Sequence, residues 1–382
     1  GRPHRGLMYE RAEARIDLGN LRHNCRELKL RLDPGVELCP VLKADAYGHG
    51  ALHCVGAVAE SGADRIAFAT ATEAVLARSV APDIPLLVLG ALAPGEIEMA
   101  ISAGADISVW EPGFIATLAD QAAASGLVVG VHVKYDTGMG RLGTTDPDLV
   151  MELARTADSH PNLRLAAIWT HFATADEEDP AFRDLQRDRL AKLGERARRE
   201  FPGLKLHAAN SAALIADPAC HFDMVRPGVA IYGMDPFGRN PADHGLKPVL
   251  SFHSWVASVR DFEPGQSAGY GRTWQAVSPT RVATVPVGYG DGVRRGLSNR
   301  GEVLIGGRRY PIAGTVSMDN ITVDLGPESG AKVGDEVTLI GTQGDETILA
   351  EQIAVPLETI NYEVTCGISP RVPRVGTGSG SG

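Results

Sequence analysis

Between about Asp17 and Pro236, short apolar runs alternate with longer segments whose apolar residues recur at helical spacing. The runs that read as strands are Glu37–Lys43, Arg65–Thr70, Leu86–Leu89, Asp106–Val109, Val128–Tyr135, Leu165–His171, Lys205–His207 and Phe222–Val225. Helical segments lie between them, among them Leu18–Leu32, Ala51–Ser61, Thr72–Ser79, Glu111–Ser125, Pro147–Ser159 and Asp184–Glu200. Eight strand–helix units in about 220 residues predict an α/β fold, a (β/α)8 TIM-like barrel, rather than an open doubly wound sheet.

Near Asn240–Gly245 the pattern changes. Short β runs punctuated by Gly, Pro and Asp follow, including Ser251–Phe262, Arg281–Val287, Glu302–Ile305, Ile321–Leu325 and Glu336–Ile340. The expected organisation is a barrel over residues 12–245 and a smaller, mostly β domain over 246–375. A flexible Gly/Ser/Thr tail is expected over 376–382. Two domains agree with a length of 382 residues at ~150 residues per domain.

The 37 basic and 47 acidic residues leave a net charge of −10, which argues against nucleic acid or an anionic membrane as partner. The longest apolar run, Ile84–Ala93, is broken by Pro85 and Gly90 and falls short of the ~20 residues that span a bilayer. The stretch Gly1–Gly6 has no signal-peptide apolar core, so a cytoplasmic location is expected. Five cysteines without a C-x-x-C pair suggest neither a disulfide framework nor a thiolate metal site. Of the basic residues only seven are lysine, so lysine chemistry has few candidates.

Barrel active sites lie at the C-terminal ends of the strands. Strand one ends at Lys43, where an amine in a desolvated mouth becomes a nucleophile; a snorkelling surface lysine is the structural alternative. Among the other lysines only Lys134 also closes a strand. The fifth strand leads into a glycine-rich loop presenting Arg141, able to clamp a carboxylate or phosphate. His171 closes strand six, as acid–base, ring partner or structural cap. The loops after strands seven (His207, Asn210, Ser211) and eight (Arg226, Gly228, Val229) lie where such barrels bind phosphate. An amine, a phosphate cradle, a histidine for a planar ring and an arginine near that ring suit pyridoxal 5′-phosphate.

Val41-Leu42-Lys43-Ala44-Asp45-Ala46-Tyr47-Gly48-His49-Gly50, Asp136–Gly143 and Val225-Arg226-Pro227-Gly228 strongly resemble the bacterial alanine racemase family. Gly269-Tyr270-Gly271, Gly288–Gly292, Val316-Ser317-Met318-Asp319 and Asn361-Tyr362-Glu363 extend the resemblance in consistent order, from roughly Glu13 to Arg374. It implies a barrel followed by a β domain, a homodimer, and interconversion of L- and D-alanine that supplies D-alanine for peptidoglycan. Lys43 would carry the cofactor and serve as one acid–base, and Tyr270, from the partner subunit, as the other. Removing a proton from one face of a carbon and returning it to the other requires two opposed groups. Tyr270 as a base would need its phenolate stabilised, for which His171 and the site arginines are available.

The resemblance further implies that Tyr47, Asn210, Ser211, Gly228, Val229 and Tyr362 hold the cofactor. Arg226 would face its ring nitrogen with His171 beside the ring and His207 in support. Arg141, Met318, Asp319 and Tyr289 would contact substrate, and Lys134 matches a position often carbamylated. Two departures bear on the mouth: many members have Ser where this chain has Gly269, and Arg and Gln where it has Thr315 and Asn320. The alternatives are a serine or broad-specificity racemase of the same construction, a non-catalytic pyridoxal-phosphate carrier, or a barrel decarboxylase of the same cofactor class. No G-x-G-x-x-G follows strand one, which leaves an NAD enzyme least favoured.

Overall fold

The computed structural model describes residues 10–378 and divides into two compact units, residues 21–247 and residues 10–20 with 248–378. In the first unit, eight parallel strands follow one another: Glu37–Leu38, Ile66–Phe68, Leu86–Val88, Ala105–Val109, Val129–Lys134, Leu163–Trp169, Lys205–His207 and Met224–Val225. Each pairs with its neighbour in sequence from strand two to strand eight, and strand eight pairs with strand one. A parallel bridge between Val41 and Ala67 joins strands one and two and completes the ring. Seven helices cover the connections: Ala51–Ala59, Ala71–Val80, Pro94–Ser102, Pro112–Ser125, Pro147–Ser159, Ala181–Glu200 and Ser211–Ala216. Three of them open on proline, whose missing N–H costs nothing at a helix start.

Strand one is shorter than its apolar run. Pro40 has no N–H to give a ladder, and after Lys43 the backbone turns left-handed, with φ of 53°, 53°, 55° and 55° at Ala44, Asp45, Ala46 and Tyr47. Four successive non-glycine residues in this region are costly, at roughly 1–2 kcal/mol each. The turn is therefore pinned from several sides. The Glu73 carboxylate accepts the Ala44 N–H (2.7 Å) through one oxygen, and the Ala69 and Thr70 N–H groups (3.0 and 3.1 Å) through the other. Asp45 accepts the Ala51 N–H at 2.7 Å, and His49 Nδ1 lies 3.0 and 3.1 Å from the carbonyls of Ala46 and Tyr47. Tyr232, fully buried, packs its ring against both Tyr47 and His49.

A polar column runs through the barrel interior. At the N-terminal ends of the strands, Asp106 is met by Arg65 (2.6 Å) and Arg164 (3.2 Å). His132 Nε2 lies 3.3 Å from the same carboxylate, His132 Nδ1 2.9 Å from His207 Nε2, and His207 Nδ1 2.6 Å from Arg226 Nη1. A guanidinium only donates and a carboxylate only accepts, so both tautomers follow: each imidazole accepts at Nδ1 and donates from Nε2. Burial holds His132 below its ordinary value against the opposing pull of Asp106. Burial and the Arg226 charge hold His207 well below.

The second unit is mostly β. Its main sheet runs Arg308–Pro311, Glu302–Ile305, Glu336–Gln343, Leu250–Trp255, Glu13–Asp17 and Arg374–Thr377 in spatial order, and Glu346–Ile348 also pairs with Glu336–Gln343. Ser258–Phe262, Thr280–Val285 and Ile321–Gly326 form a three-stranded sheet. The single run expected over Ser251–Phe262 is two strands, because the Val256 N–H bonds Asp335 and the Ala257 N–H bonds Thr284 in the other sheet. Two expected boundaries are corrected. Residues 12–20 belong with the β-rich unit, since Glu13–Asp17 pairs antiparallel with Leu250–Trp255. The tail does not begin at 376, because Arg374–Thr377 is a strand parallel to Glu13–Asp17; residues 379–382 lie outside the described residues.

Two expectations follow. Glu73→Ala removes three acceptor contacts and should cost about 1–3 kcal/mol in denaturant unfolding. Glu73→Gln, with one carbonyl oxygen for two jobs, should fall between Ala and wild type; a neutral Glu73→Ala would show that the turn holds itself. Between the ordinary histidine value and the lowered folded ones, the unfolded chain binds protons that the folded barrel refuses. Stability is then complete above pH ~6.5 and falls as pH drops, by up to about 1.4 kcal/mol per histidine per pH unit. Nitrogen chemical shifts of His132 and His207 should show both rings still neutral at the pH where an ordinary histidine is half protonated, and titration of either at or above that pH would contradict the column.

Candidate active site

The C-terminal ends of the barrel strands bring together most residues singled out in the sequence. Arg226, 3% exposed, follows strand eight and lies at the centre of this cluster. Beyond His207, its Nη2 donates to the carbonyls of Thr170 (2.9 Å) and Ala208 (3.0 Å) and lies 3.3 Å from His171 Nδ1. Among the described residues no hydrogen bond engages its Nε–H, which leaves that donor available to an acceptor. Burial lowers the guanidinium to about 10, still far above neutral pH.

Trp169, at the end of strand six, supports two cations on its ring: Arg226 at 4.7 Å and Lys134 Nζ at 4.4 Å from the centroid. It also stacks on His207 with centroids 5.5 Å apart. Lys134 is pushed down to about 8, first by burial and then by the charges of Arg141 and Arg226, with Asp136 opposing. His171 is held well below its ordinary value by burial and by Arg226, Arg141, Lys134 and Lys43. The mouth is thus a positive region in a net-negative chain.

The Ser211 hydroxyl accepts the N–H groups of Gly228 (3.0 Å) and Ala230 (3.2 Å), tying the loop after strand seven to that after strand eight and keeping its own proton to donate. Gly228 has no substitute here, since a Cβ would lie 2.2 Å from the Tyr47 hydroxyl. Val229 is buried beside it. The Asn210 side-chain oxygen accepts the Ala213 N–H (3.0 Å) as the cap of helix Ser211–Ala216. The loop presenting Arg141 is shaped by Asp136, whose carboxylate accepts the N–H groups of Gly138, Met139 and Gly140 at 2.7–2.9 Å.

Sequence reasoning overlooked Asp136 as a loop organiser, Trp169 as a platform, and Gln186. The Gln186 side chain, fully buried, bonds Thr137 Oγ1 (3.2 Å), the His171 carbonyl (3.0 Å) and the Ala173 N–H (2.9 Å), joining the loops after strands five and six. A lone amide on the inner face of an otherwise periodic helix was the available signal.

Tyr270, Tyr289, Met318, Asp319 and Tyr362 belong to the β-rich unit. Tyr270 (74%), Met318 (53%) and Tyr289 (44%) stand out from its surface. The loops carrying Tyr289 and Met318 are zipped together, Tyr289 N–H to Ser317 O and Gly290 N–H to Met318 O, both 2.9 Å. Beneath them Asp291, buried, accepts the Gly288 N–H (2.8 Å) and Arg371 Nε (2.6 Å), while Arg371 Nη2 reaches Asp319 at 2.7 Å. Asp319 is accordingly engaged by its own unit. Tyr362 lies on helix Asn361–Cys366, whose Asn361 donates to the buried Glu351 at 2.9 Å.

The model of the alanine racemase N-terminal domain matches residues 16–236, and that of the C-terminal domain residues 249–376. The alanine racemase of Symbiobacterium thermophilum is 40% identical over 362 residues, covering 94% of this chain and 96% of that protein. Alanine racemase 2 of Caldanaerobacter subterraneus subsp. tengcongensis is 37% identical over 361 residues, 94% of this chain and 93% of its own. The crystal structure of alanine racemase from D-cycloserine producing Streptomyces lavendulae aligns with a TM-score of 0.90 at 35% identity, covering 96% of this chain and 97% of that one. In matched domains, in identity and in fold along nearly its whole length, this chain belongs to the alanine racemase family.

Proposed function

We propose that this chain is a pyridoxal 5′-phosphate-dependent isomerase that interconverts L-alanine and D-alanine, with Lys43 and Tyr270 as its two acid–base groups. The observation that carries the reading is the barrel mouth, where a lysine precedes a strained turn, an arginine keeps its Nε–H unengaged, and a hydroxyl–amide cradle lies in a positive field. These residues fit the cofactor. The Ser211 proton suits a phosphate oxygen, the Arg226 Nε–H a pyridine nitrogen, and the Lys43 amine an aldehyde. When bound, the cofactor takes up the electron pair released as the α-proton leaves.

The chain's own groups do the rest. Arg226 is charged and gives up no proton, so an acceptor facing its Nε receives a hydrogen bond alone. His171 and His207 stay neutral and add no competing acid. Arg141 and the positive mouth attract the substrate carboxylate. Lys43 moves the proton on one face of the α-carbon, and Tyr270 on the other. We assign Tyr270, with Tyr289 and Met318, to the site of a second copy of the chain, for which their exposure in their own unit is the support. The cellular reading is a cytoplasmic homodimer supplying D-alanine for peptidoglycan.

Lys134, lowered to about 8, is a neutral amine for an appreciable part of the time near neutral pH. We read it as carbamylated: the amine adds CO2, a C–N bond forms, one proton leaves, and the resulting anion braces Arg141. Asp136 is the counter-charge that opposes those cations at Lys134.

Holoenzyme incubated with single L-amino acids, with enantiomers resolved, should turn L-alanine into a near-equal mixture. Racemisation of another amino acid without alanine would sink the substrate assignment. Tyr270→Phe should lose about 10²–10⁴-fold in kcat while keeping the visible absorbance of bound cofactor, and Lys43→Ala should lose covalent attachment. With ¹³C-bicarbonate, wild type should show a carbamate carbon signal that Lys134→Arg lacks; its absence in wild type would leave Lys134 a plain cation.

A further inference from the structure

Tyr270 is poorly held by its own side chain. At 74% exposure its ring has little packing within its unit, so its aim depends on the main chain beneath it. That main chain is a tight 3-10 turn, Tyr270–Arg272, with left-handed φ at Gly269 (76°), Gly271 (73°) and Arg272 (51°). A segment of this kind, short and strained, keeps one geometry only if neighbours impose it.

The neighbour is Thr315. Its Oγ1 lies 2.8 Å from the Tyr270 carbonyl and 3.3 Å from Thr273 Oγ1. Asn299 Nδ2 lies 3.0 Å from Thr273 Oγ1, and Asn299 Oδ1 accepts the Gly314 N–H at 2.6 Å, which settles the orientation of the amide. A carbonyl only accepts and an amide nitrogen only donates, so the chain has one direction: Asn299 N–H to Thr273, Thr273 O–H to Thr315, Thr315 O–H to Tyr270 O. Gly269 completes the contact. A Cβ there would stand 2.9 Å from the Thr315 nitrogen and 3.1 Å from its oxygen, so the turn can lie against Thr315 only with glycine at 269. The two departures from the common family pattern meet at this turn: Gly269 clears the backbone of residue 315, and the Thr315 hydroxyl reaches the Tyr270 carbonyl.

We propose that Thr315 is a positioning residue for Tyr270, fixing the turn through the Tyr270 carbonyl at the end of a directed hydrogen-bond chain from Asn299. The proposal rests on Tyr270 acting as one of the two acid–bases. Thr315→Val keeps the shape and removes the hydroxyl, whereas Thr315→Ser keeps the hydroxyl. In the holoenzyme, Thr315→Val should lower kcat by about 10-fold or more with KM for alanine within about twofold, and Thr315→Ser should restore it. The Cα-deuterium isotope effect should rise more for the enantiomer whose proton Tyr270 removes. Amide hydrogen exchange of the peptide containing Tyr270 should quicken in Thr315→Val and return in Thr315→Ser. Unchanged exchange and kcat in Thr315→Val overturns the proposal, as does a loss that serine fails to restore or isotope effects raised equally for both enantiomers. The exchange measurement is independent of activity, so a fully active Tyr270→Phe would remove the catalytic reading of Tyr270 and leave the anchoring by Thr315 decided on its own.

Discussion

The barrel site is organised around a buried guanidinium that cannot discharge. Arg226 is held by two carbonyls and two imidazoles, and both imidazoles are kept neutral by burial and by its charge. His207 can accept from it because its tautomer is imposed from elsewhere, through His132 to Asp106. The anion that terminates the column is at the other end of the barrel. The column thus transmits hydrogen-bond direction and leaves the positive charge at the mouth. A site with Arg226, Arg141, Lys134 and Lys43 acting on one histidine is built for an anionic occupant, because without one the like charges repel.

The left-handed turn after Lys43 obeys the same logic by steric means. An ordinary strand end would let a lysine side chain and its backbone relax together. Here the residues directly after Lys43 are held in a conformation that L-residues resist, by a carboxylate that is at the same time the capping-box residue of helix Ala71–Val80. The position of the amine is thereby coupled to a helix start rather than to the flexibility of a loop. Strain at this point is compensated by contacts distributed over Glu73, Asp45, His49 and Tyr232, none of which has to touch substrate.

Much of the fold was legible in the sequence, for a physical reason. Parallel strands buried on both faces produce apolar runs that helical segments cannot imitate when glycine and proline bound them, and all eight lie within the predicted runs or within two residues of them. The residues at strand ends were legible because topology alone says which end carries chemistry. Illegible features were those set by contacts distant in sequence. Glu13–Asp17 has the pattern of any short strand, and nothing local says that it pairs with Leu250–Trp255 and Arg374–Thr377. Trp169 and Gln186 read as core and helix face, and their polar or cationic neighbours come from other strands. The left-handed turn was invisible because Ala-Asp-Ala-Tyr has no glycine to announce it.

Gly269 and Thr315 show how a departure from a family pattern can be informative when read as a pair. Taken singly, loss of a serine beside Tyr270 removes a polar group, and threonine where many relatives have arginine removes a charge. Taken together they are steric and polar complements: the missing Cβ admits the Thr315 backbone, and the threonine hydroxyl then reaches the Tyr270 carbonyl. An arginine at 315 would have no hydroxyl to receive the Thr273 proton, and the chain from Asn299 would end one bond short of the turn. A side chain at 269 would push the turn off its support. The turn that carries Tyr270 is therefore held by a contact across it, and the residue that holds it is found from geometry rather than from either position alone.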